Sequence, residues 1–362
     1  MKKLTAIVLT IVLTVFFAGC GSKPAESSEA SSTQAQALAG DVKSKLDETL
    51  TGAGFKGIVQ ITEGDNVIYE YVKGNDDNKK PLTIDSPMPI GSVSKQFCAA
   101  CIMFLCEQNK LSTDDTLDKY YPNYKYGKKI TIKNLLNMGS GIDNFLELVD
   151  SSEVGDDESK NIDLITKEIS EEELSFEPGK DYSYSNSNYF LLANIAEQAS
   201  GIAYHKFIKE QFFEPLGMKH TGFVEDLSKD SELASAVSVE EIKKEYVYNP
   251  GLTKGAGDIV SNAEDMNKWM RGLSGGKILS EEGFRQMTES VNPYSTEEYG
   301  YGLWHMPYGG VGHVGQIPPS FAAVDYINTG RNIYLYAMSN TGKGMSYVQQ
   351  LPQELLSVMF EK

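Results

Sequence analysis

The sequence predicts an α+β protein, and three observations predict it. Short runs rich in β-branched and aromatic residues lie near both ends of the chain, at 57–62 and 67–72 and again at 299–305, 321–327 and 333–338. The stretch between them shows the three-to-four-residue apolar spacing of helices. Hydrophobic residues make up 41% of the 362 and charged residues 23%, the balance of a folded globular chain rather than a disordered one. A chain of this length buries a substantial core, in one large domain or two.

The elements follow in order. Residues 42–50 read as an opening amphipathic helix. The runs 57–62 and 67–72 flank Glu63-Gly64-Asp65-Asn66, a turn-forming group, and so form a hairpin. Asp85-Ser86-Pro87 leads to Ile90-Gly91, after which an apolar helix spans 92–108. Leu111-Ser112-Thr113-Asp114-Asp115 is a capped turn. Residues 130–138 have helical spacing and stop at Gly139-Ser140-Gly141. The acidic stretch 150–163 reads as a loop, and Pro178-Gly179 breaks the chain before Tyr184. Helices follow at 189–199, ended by Gly201, and at 205–213, stopped by Pro215. Another spans 261–273, with Ser261 as its N-cap and Glu264 three residues later, the pattern of a capping box. A helix near 347–360 closes the chain.

The first residues stand apart. Lys2 and Lys3 precede an apolar run over 4–17 that ends in Phe17-Ala18-Gly19-Cys20. A positive start, a short apolar core and small residues make an export signal rather than a membrane span. The terminal cysteine resembles a bacterial lipobox, in which cysteine becomes the lipidated first residue, with Phe17 in place of the usual Leu. On this reading 1–19 is a lipoprotein signal peptide, 20–40 is the lipidated Cys20 and a flexible tether, and 41–362 is the folded domain. The protein is then extracytoplasmic and lipid-anchored to the cell membrane. An ordinary signal peptide cut near Ala18, or an uncleaved anchor, is the competing reading. The tether is rich in Ser, Ala, Gln and Glu, and buries too little surface to offset its ordering entropy.

Charge and cysteine content narrow the partners. A formal charge of −17 repels nucleic acid, so no nucleic-acid partner is expected. Cys98, Cys101 and Cys106 share the helix after Ser92. That is no disulfide scaffold, and no second Cys or His cluster accompanies them, so they read as core positions. No metal or organic cofactor is implied, because no cluster of His and carboxylate residues has ligand spacing. The oligomeric state is open.

Three short motifs carry the chemistry: Ser92-Val93-Ser94-Lys95, Tyr184-Ser185-Asn186 and His313-Val314-Gly315, in that order. Ser92 and Lys95 are three apart, so one helical turn puts a hydroxyl and an amine on one face. At a helix N-terminus, free N–H groups and the dipole favour developing negative charge. A serine hydroxyl is a weak nucleophile unless a neighbouring base takes its proton. Lys95 is that base only if burial or nearby positive charge lowers its pKa. Alone, such a tetrad arises by chance in many chains. Tyr184 offers a phenol that relays a proton, as phenol or phenolate, and Asn186 offers an amide to a substrate carbonyl. A lone tyrosine is more often a half-buried core ring. His205, His220 and His305 have no motif around them and read as structural. His313 has a motif, although a structural strand histidine is the plain alternative.

The ordered trio resembles the penicillin-recognising serine hydrolases, and within them the branch of class C β-lactamases, D-Ala-D-Ala carboxypeptidases and related esterases. Longer runs carry the same resemblance: Phe176-Glu177-Pro178-Gly179 with Tyr184-Ser185-Asn186-Ser187-Asn188-Tyr189; Ile130-Thr131-Ile132-Lys133-Asn134-Leu135-Leu136 through Ser140-Gly141; Phe213-Glu214-Pro215-Leu216-Gly217-Met218; and Gly255-Ala256-Gly257-Asp258-Ile259-Val260-Ser261 with Glu264-Asp265. The resemblance implies a β-lactamase/transpeptidase-like fold, an antiparallel sheet from both chain ends flanked by helices, with a helical subdomain. It implies Ser92 as the acylated nucleophile, with Lys95 and Tyr184 handling its proton. It implies Asn186, His313 and Gly315 in substrate binding, with Gly315 admitting substrate to the backbone and His313 orienting Tyr184 or meeting a substrate carboxylate. The N–H groups of Ser92 and Gln316 would form the oxyanion hole.

Two departures bear on activity. Class C β-lactamases resemble one another in carrying Lys where this chain has His313. Gln316 replaces a small residue, and Gln316-Ile317-Pro318-Pro319-Ser320-Phe321 lacks the glycines expected at that turn, which suggests a stiffer or narrower cleft edge. The resulting expectation is a lipid-anchored serine hydrolase, a D-Ala-D-Ala carboxypeptidase-like peptidase or an esterase, acting on a small-molecule or cell-wall peptide or ester substrate. A β-lactamase and a non-catalytic binding or sensor lipoprotein are the alternatives.

Overall fold

The computed structural model describes residue 38 and residues 40–76, 79–150, 153–155, 157–228, 250–317, 321–341 and 347–361. Cys20, the signal and tether segments before residue 38, and Pro318, Pro319 and Ser320 lie outside the described residues.

The sheet is built from both ends of the chain. Strands β1 (Gly57–Glu63) and β2 (Asn66–Lys73) form the expected hairpin, turning at Gly64 with φ +56°. β1 then pairs antiparallel with β10 (Ile333–Ser339), from Ile58 opposite Met338 to Glu63 opposite Ile333. β10 pairs with β9 (Phe321–Asn328). The far edge of β9 is shared by β7 (Gly310–Gly312), which carries β6 (Trp304–Met306), and by β8 (Val314–Ile317). A second, small sheet joins β3 (Met88–Pro89) and β4 (Gly222–Phe223) to β5 (Ile259–Ser261).

Both faces of the large sheet are covered, which explains why β9 and β10 are buried along their whole length. On the outer face, α1 (Gly40–Gly52) and the C-terminal helix (Leu351–Phe360) press Leu46, Leu50, Leu351 and Leu355 against Val59, Ile61, Val324 and Leu335. On the inner face lie α2 (Lys95–Glu107) and the helix Ala263–Ser274, joined by Phe97 stacked on Trp269 with ring centres 3.7 Å apart. Cys98 and Cys101 are wholly buried in α2, and burial pushes both thiols well up, as suits core residues.

The helical layer follows α2 in chain order: α3 (Ile132–Leu136), α4 (Phe145–Leu148), α5 (Glu158–Glu171), α6 (Asn186–Ser200) and α7 (Tyr204–Ile208). After it come α8 (Pro250–Thr253), α9, which is the helix Ala263–Ser274 already met, α10 (Glu281–Glu289) and α11, the C-terminal helix.

Several boundaries differ from expectation. The helix expected over 92–108 opens as a tight 3-10 turn, Gly91–Ser94, before α2 begins at Lys95. The acidic stretch read as a loop contains the first turns of α5. Asp157 caps it by accepting from the Lys160 N–H, and acidic residues suit a helix N-terminus. Pro215 does not stop the helix after residue 204. A π turn, Lys209–Phe213, resets the backbone bonding, and the helix continues over Glu214–Leu216 to Gly217 at φ +66°. Asn262, not Ser261, caps α9, because Ser261 still belongs to β5. The strand expected over 299–305 is reduced to Trp304–Met306 after a turn through Gly302 at φ +71°.

Candidate active site

Two glycines bring the Ser92 turn onto the sheet. The small sheet delivers the chain, with the Ile90 N–H bonded to the Ile259 carbonyl at 3.0 Å. Gly91 has φ +53°, and a Cβ there would lie 2.9 Å from the Gln316 nitrogen. A Cβ on Gly315 would lie 1.8 Å from the Ile90 carbonyl oxygen and 3.0 Å from the Ser92 nitrogen. The turn and β8 therefore touch backbone to backbone. The space a Gly315 side chain would need is filled by the Ile90 carbonyl.

Lys95 sits at the centre. Its Nζ donates to Ser92 Oγ at 3.0 Å, to Asn186 Oδ1 at 2.7 Å and to the Ala256 carbonyl at 2.7 Å. An ammonium has three donors, and here each has an acceptor. The residue is fully buried. Burial pulls its pKa down to about 7, against the opposing pull of the Asp258 carboxylate. On losing a proton the amine keeps two N–H bonds, to Asn186 and Ala256, and turns its lone pair toward the Ser92 hydroxyl. That geometry is what a lysine needs to accept a serine proton.

Asn186 begins α6 and is held from behind. Its backbone N–H and Nδ2 both donate to Asn144 Oδ1, at 3.3 and 3.2 Å. The chain from 140 to 145 laces the same helix start. Ser140 Oγ donates to Asn188 Oδ1 at 2.6 Å, Ser187 Oγ donates to the Asp143 carbonyl at 2.6 Å, and the Phe145 N–H donates to Ser187 Oγ at 2.9 Å.

Tyr184 lies beside this cluster, its ring 4.9 Å from Lys95 Nζ. Trp304 stacks on it at 5.6 Å, and Tyr299 and His313 stand at 6.2 Å. Its hydroxyl is buried without a hydrogen-bond partner. Burial pushes the phenol far up, eased by the nearby Ser92 hydroxyl, so the phenol and not the phenolate is the resting form. His313 is fully buried between β7 and β8. Burial and the Lys95 charge hold it down at about 3, so it is neutral. Its Nδ1 lies 2.7 Å from the Val314 carbonyl and must carry the proton, which leaves Nε2 to accept from the Tyr299 hydroxyl at 3.2 Å. A neutral, buried ring bonded in this way supports the aromatic wall behind Tyr184 and is not presented to a carboxylate.

The structure thus joins Ser92, Lys95 and Asn186 by direct bonds and sets Tyr184 against them. His313 and Gly315 form the backing. The Ala256 carbonyl, Asn144, Tyr299 and Trp304 were missed. Ala256 stood inside Gly255-Ala256-Gly257-Asp258, a motif read only as structural. His205, also read as structural, meets Glu225 and Asp258.

The cleft over Ser92 is small, about 90 Å³. Ser92, Asn186, Thr253 and Gln316 supply its polar edge, and Phe145, Leu146, Leu252 and Ile317 its apolar walls. Among the described residues that line it, none carries a charge.

A family model described as Beta-lactamase matches residues 42–359. A candidate penicillin-binding protein of Bacillus subtilis (strain 168), PbpX, is 32% identical over 302 residues, covering 82% of this chain and 73% of that protein. A teichoic acid D-alanine hydrolase of Staphylococcus aureus is 25% identical over 268 residues, covering 73% of this chain and 66% of that protein. Among solved structures, a D-amino acid amidase from Ochrobactrum anthropi SV3 superposes with a TM-score of 0.74 at 21% identity, covering 89% of this chain and 98% of that one. It shares the fold.

Proposed function

We propose that this chain, which belongs to the beta-lactamase family, is a serine hydrolase that forms an acyl-enzyme on Ser92 and cleaves D-alanyl esters, as a lipid-anchored protein facing the cell envelope. The observation that carries the reading is the Lys95 amine, buried and bonded to Ser92, Asn186 and the Ala256 carbonyl. In the acylation step Ser92 Oγ attacks the ester carbonyl while its proton passes to Lys95 Nζ. The negative charge that forms on the carbonyl oxygen is met by the N–H groups of Ser92 and Gln316. The leaving alkoxide takes a proton from the Tyr184 phenol, which Lys95 re-protonates. Water then attacks the acyl-enzyme along the reverse route.

Ester is preferred to carboxyl-terminated peptide because of the cleft. A free substrate carboxylate would find neutral groups among the described lining residues, and His313 is neutral and buried. The D-alanyl part rests on likeness to the teichoic acid D-alanine hydrolase. Intact mass and product release on a D-alanyl ester, a D-alanyl-D-alanine peptide and benzylpenicillin test the reading. The ester should turn over through an adduct absent in Ser92→Ala. A cleaved peptide beside an untouched ester would overturn the choice, and steady consumption of benzylpenicillin would make the protein a β-lactamase. The anchor is tested separately. Cys20→Ala should move the protein out of the membrane fraction, and its retention there would sink the lipoprotein reading.

The base makes its own prediction. Lys95→Ala should slow acylation of Ser92 by at least about a hundredfold. In the parent, the acylation rate should rise with pH through about 7, because only the neutral amine accepts the serine proton. Stopped-flow acylation across that range checks it. A flat profile, or a near-normal rate in the variant, would assign the base elsewhere.

A further inference from the structure

Behind Lys95 lies a chain of three charged side chains outside the cleft. Glu225 Oε1 is 3.0 Å from His205 Nδ1, and His205 Nε2 is 2.7 Å from Asp258 Oδ2. The same Oδ2 accepts from the Gly255 N–H at 3.1 Å. Asp258 is only 2% exposed, and the His205 ring stacks on Phe223 at 3.9 Å. A buried carboxylate so held has a mechanical effect on what lies between its two anchors. Residues 254 to 257 form a turn that runs into Asp258, and within it Ala256 offers Lys95 the carbonyl at 2.7 Å.

The turn is pinned on its other sides too. The N–H groups of Ala256 and Gly257 both donate to the Thr253 carbonyl at 2.8 Å. Gly255 has φ +72°, and a Cβ there would lie 2.7 Å from Ala193 Cβ and 2.9 Å from the Tyr189 carbonyl. A turn packed this closely against α6 moves little unless Asp258 lets go.

We propose that His205 and Asp258 are positioning residues for Lys95: His205 orients the Asp258 carboxylate, which clamps the turn and so fixes the Ala256 carbonyl on the lysine amine. The proposal rests on the reading of Lys95 as the base for Ser92. The pair also tunes that base. Asp258 raises the lysine pKa against burial. His205 is pulled down by burial but pushed up to about 9 by its bonds to Asp258 and Glu225, so it is cationic at neutral pH and offsets part of the Asp258 charge. The other titratable groups facing these atoms are Cys98 on α2, Tyr184, Tyr189 and Tyr204, and His313. Burial keeps the thiol and the phenols protonated and His313 neutral. Lys254, next to the turn, is paired with Glu197 at 2.7 Å.

The experiment is the pH dependence of Ser92 acylation by an activated D-alanyl ester, with thermal unfolding of each variant as the check on folding. Asp258→Asn should move the rising limb down by about one pH unit, because the lysine loses a favourable charge. It should also lower the plateau rate about tenfold or more, with little change in KM, because the carbonyl is no longer held. His205→Gln should move the limb the other way, since Asp258 then acts on Lys95 uncompensated. Asp258→Glu keeps the charge on a longer arm, and should keep the limb while losing plateau rate. Folded Asp258→Asn and His205→Gln proteins whose limbs stay at the parent pH, or a folded Asp258→Glu that keeps the parent plateau rate, would overturn the proposal and leave the pair a mere packing feature. If Asp258→Asn does not fold, the limb of His205→Gln decides. Ser92→Ala, run alongside, separates the failures: activity retained in it sinks the acyl-enzyme reading itself, whatever the limbs do.

Discussion

Ser92→Ala is expected to abolish the acyl-enzyme and to lower ester hydrolysis by about 10⁴- to 10⁶-fold, the loss seen when a nucleophile is taken from a unit that acts together. The only other hydroxyl among the described residues lining the cleft is Thr253, whose Oγ1 is buried without a partner and so has no adjacent base. No other described residue lining the cleft can therefore take over. The fold should survive, because the change removes one acceptor from Lys95 and leaves Asn186 and the Ala256 carbonyl in place. Intact mass after exposure to an activated ester, together with a thermal melt, reads both. A folded variant that still labels or still turns over at the parent rate would place the nucleophile elsewhere.

Gly315→Ala should be nearly as damaging by a different route. Its Cβ would sit 1.8 Å from the Ile90 carbonyl oxygen and 3.0 Å from the Ser92 nitrogen. Both are backbone atoms, so no side chain can swing aside, and either β8 or the Ser92 turn must shift. Overpacking of this kind costs about 3 kcal/mol when neighbours cannot yield. Parting the two backbone nitrogens should also remove much of the oxyanion stabilisation, a further loss of about a hundredfold or more in rate. Gly330→Ala is the control, since a Cβ there meets nothing closer than 3.6 Å. Denaturant unfolding and ester turnover measure the two effects. A Gly315→Ala protein as stable and active as the control would mean that the contact between turn and strand is looser than drawn.

What was legible in the sequence was local or strongly patterned. Ser92 and Lys95 lie within one turn, so their meeting needs no knowledge of the fold. The strands at both ends announced themselves by β-branched residues, and the hairpin at Gly64 by its turn chemistry. The Ala256 carbonyl was not legible, because a backbone oxygen leaves no trace in side-chain identity. Asn144 is an ordinary residue until the chain from 140 to 145 is seen lacing the start of α6. Glu225, His205 and Asp258 are brought together by tertiary structure alone. The first turns of α5 were hidden because acidic residues mark a solvated loop and a helix N-terminus equally well. Gly315 was recognised as special, but which backbone it makes room for depends on β8 lying against a turn more than two hundred residues earlier.

The pairing of β1 with β10 also sets the order of events during synthesis. Ile58 has Met338 as its partner, so the sheet closes only after 280 further residues have been made. Until then β1 and β2 amount to a lone hairpin, which is marginal in water. Closing so long a loop is slow relative to local folding. The serine turn at Gly91–Ser94 leaves the ribosome well before its second wall, β8, more than two hundred residues later. The nucleophile is thus born inert, and acquires its reactivity only once β8 has been made and has closed against it.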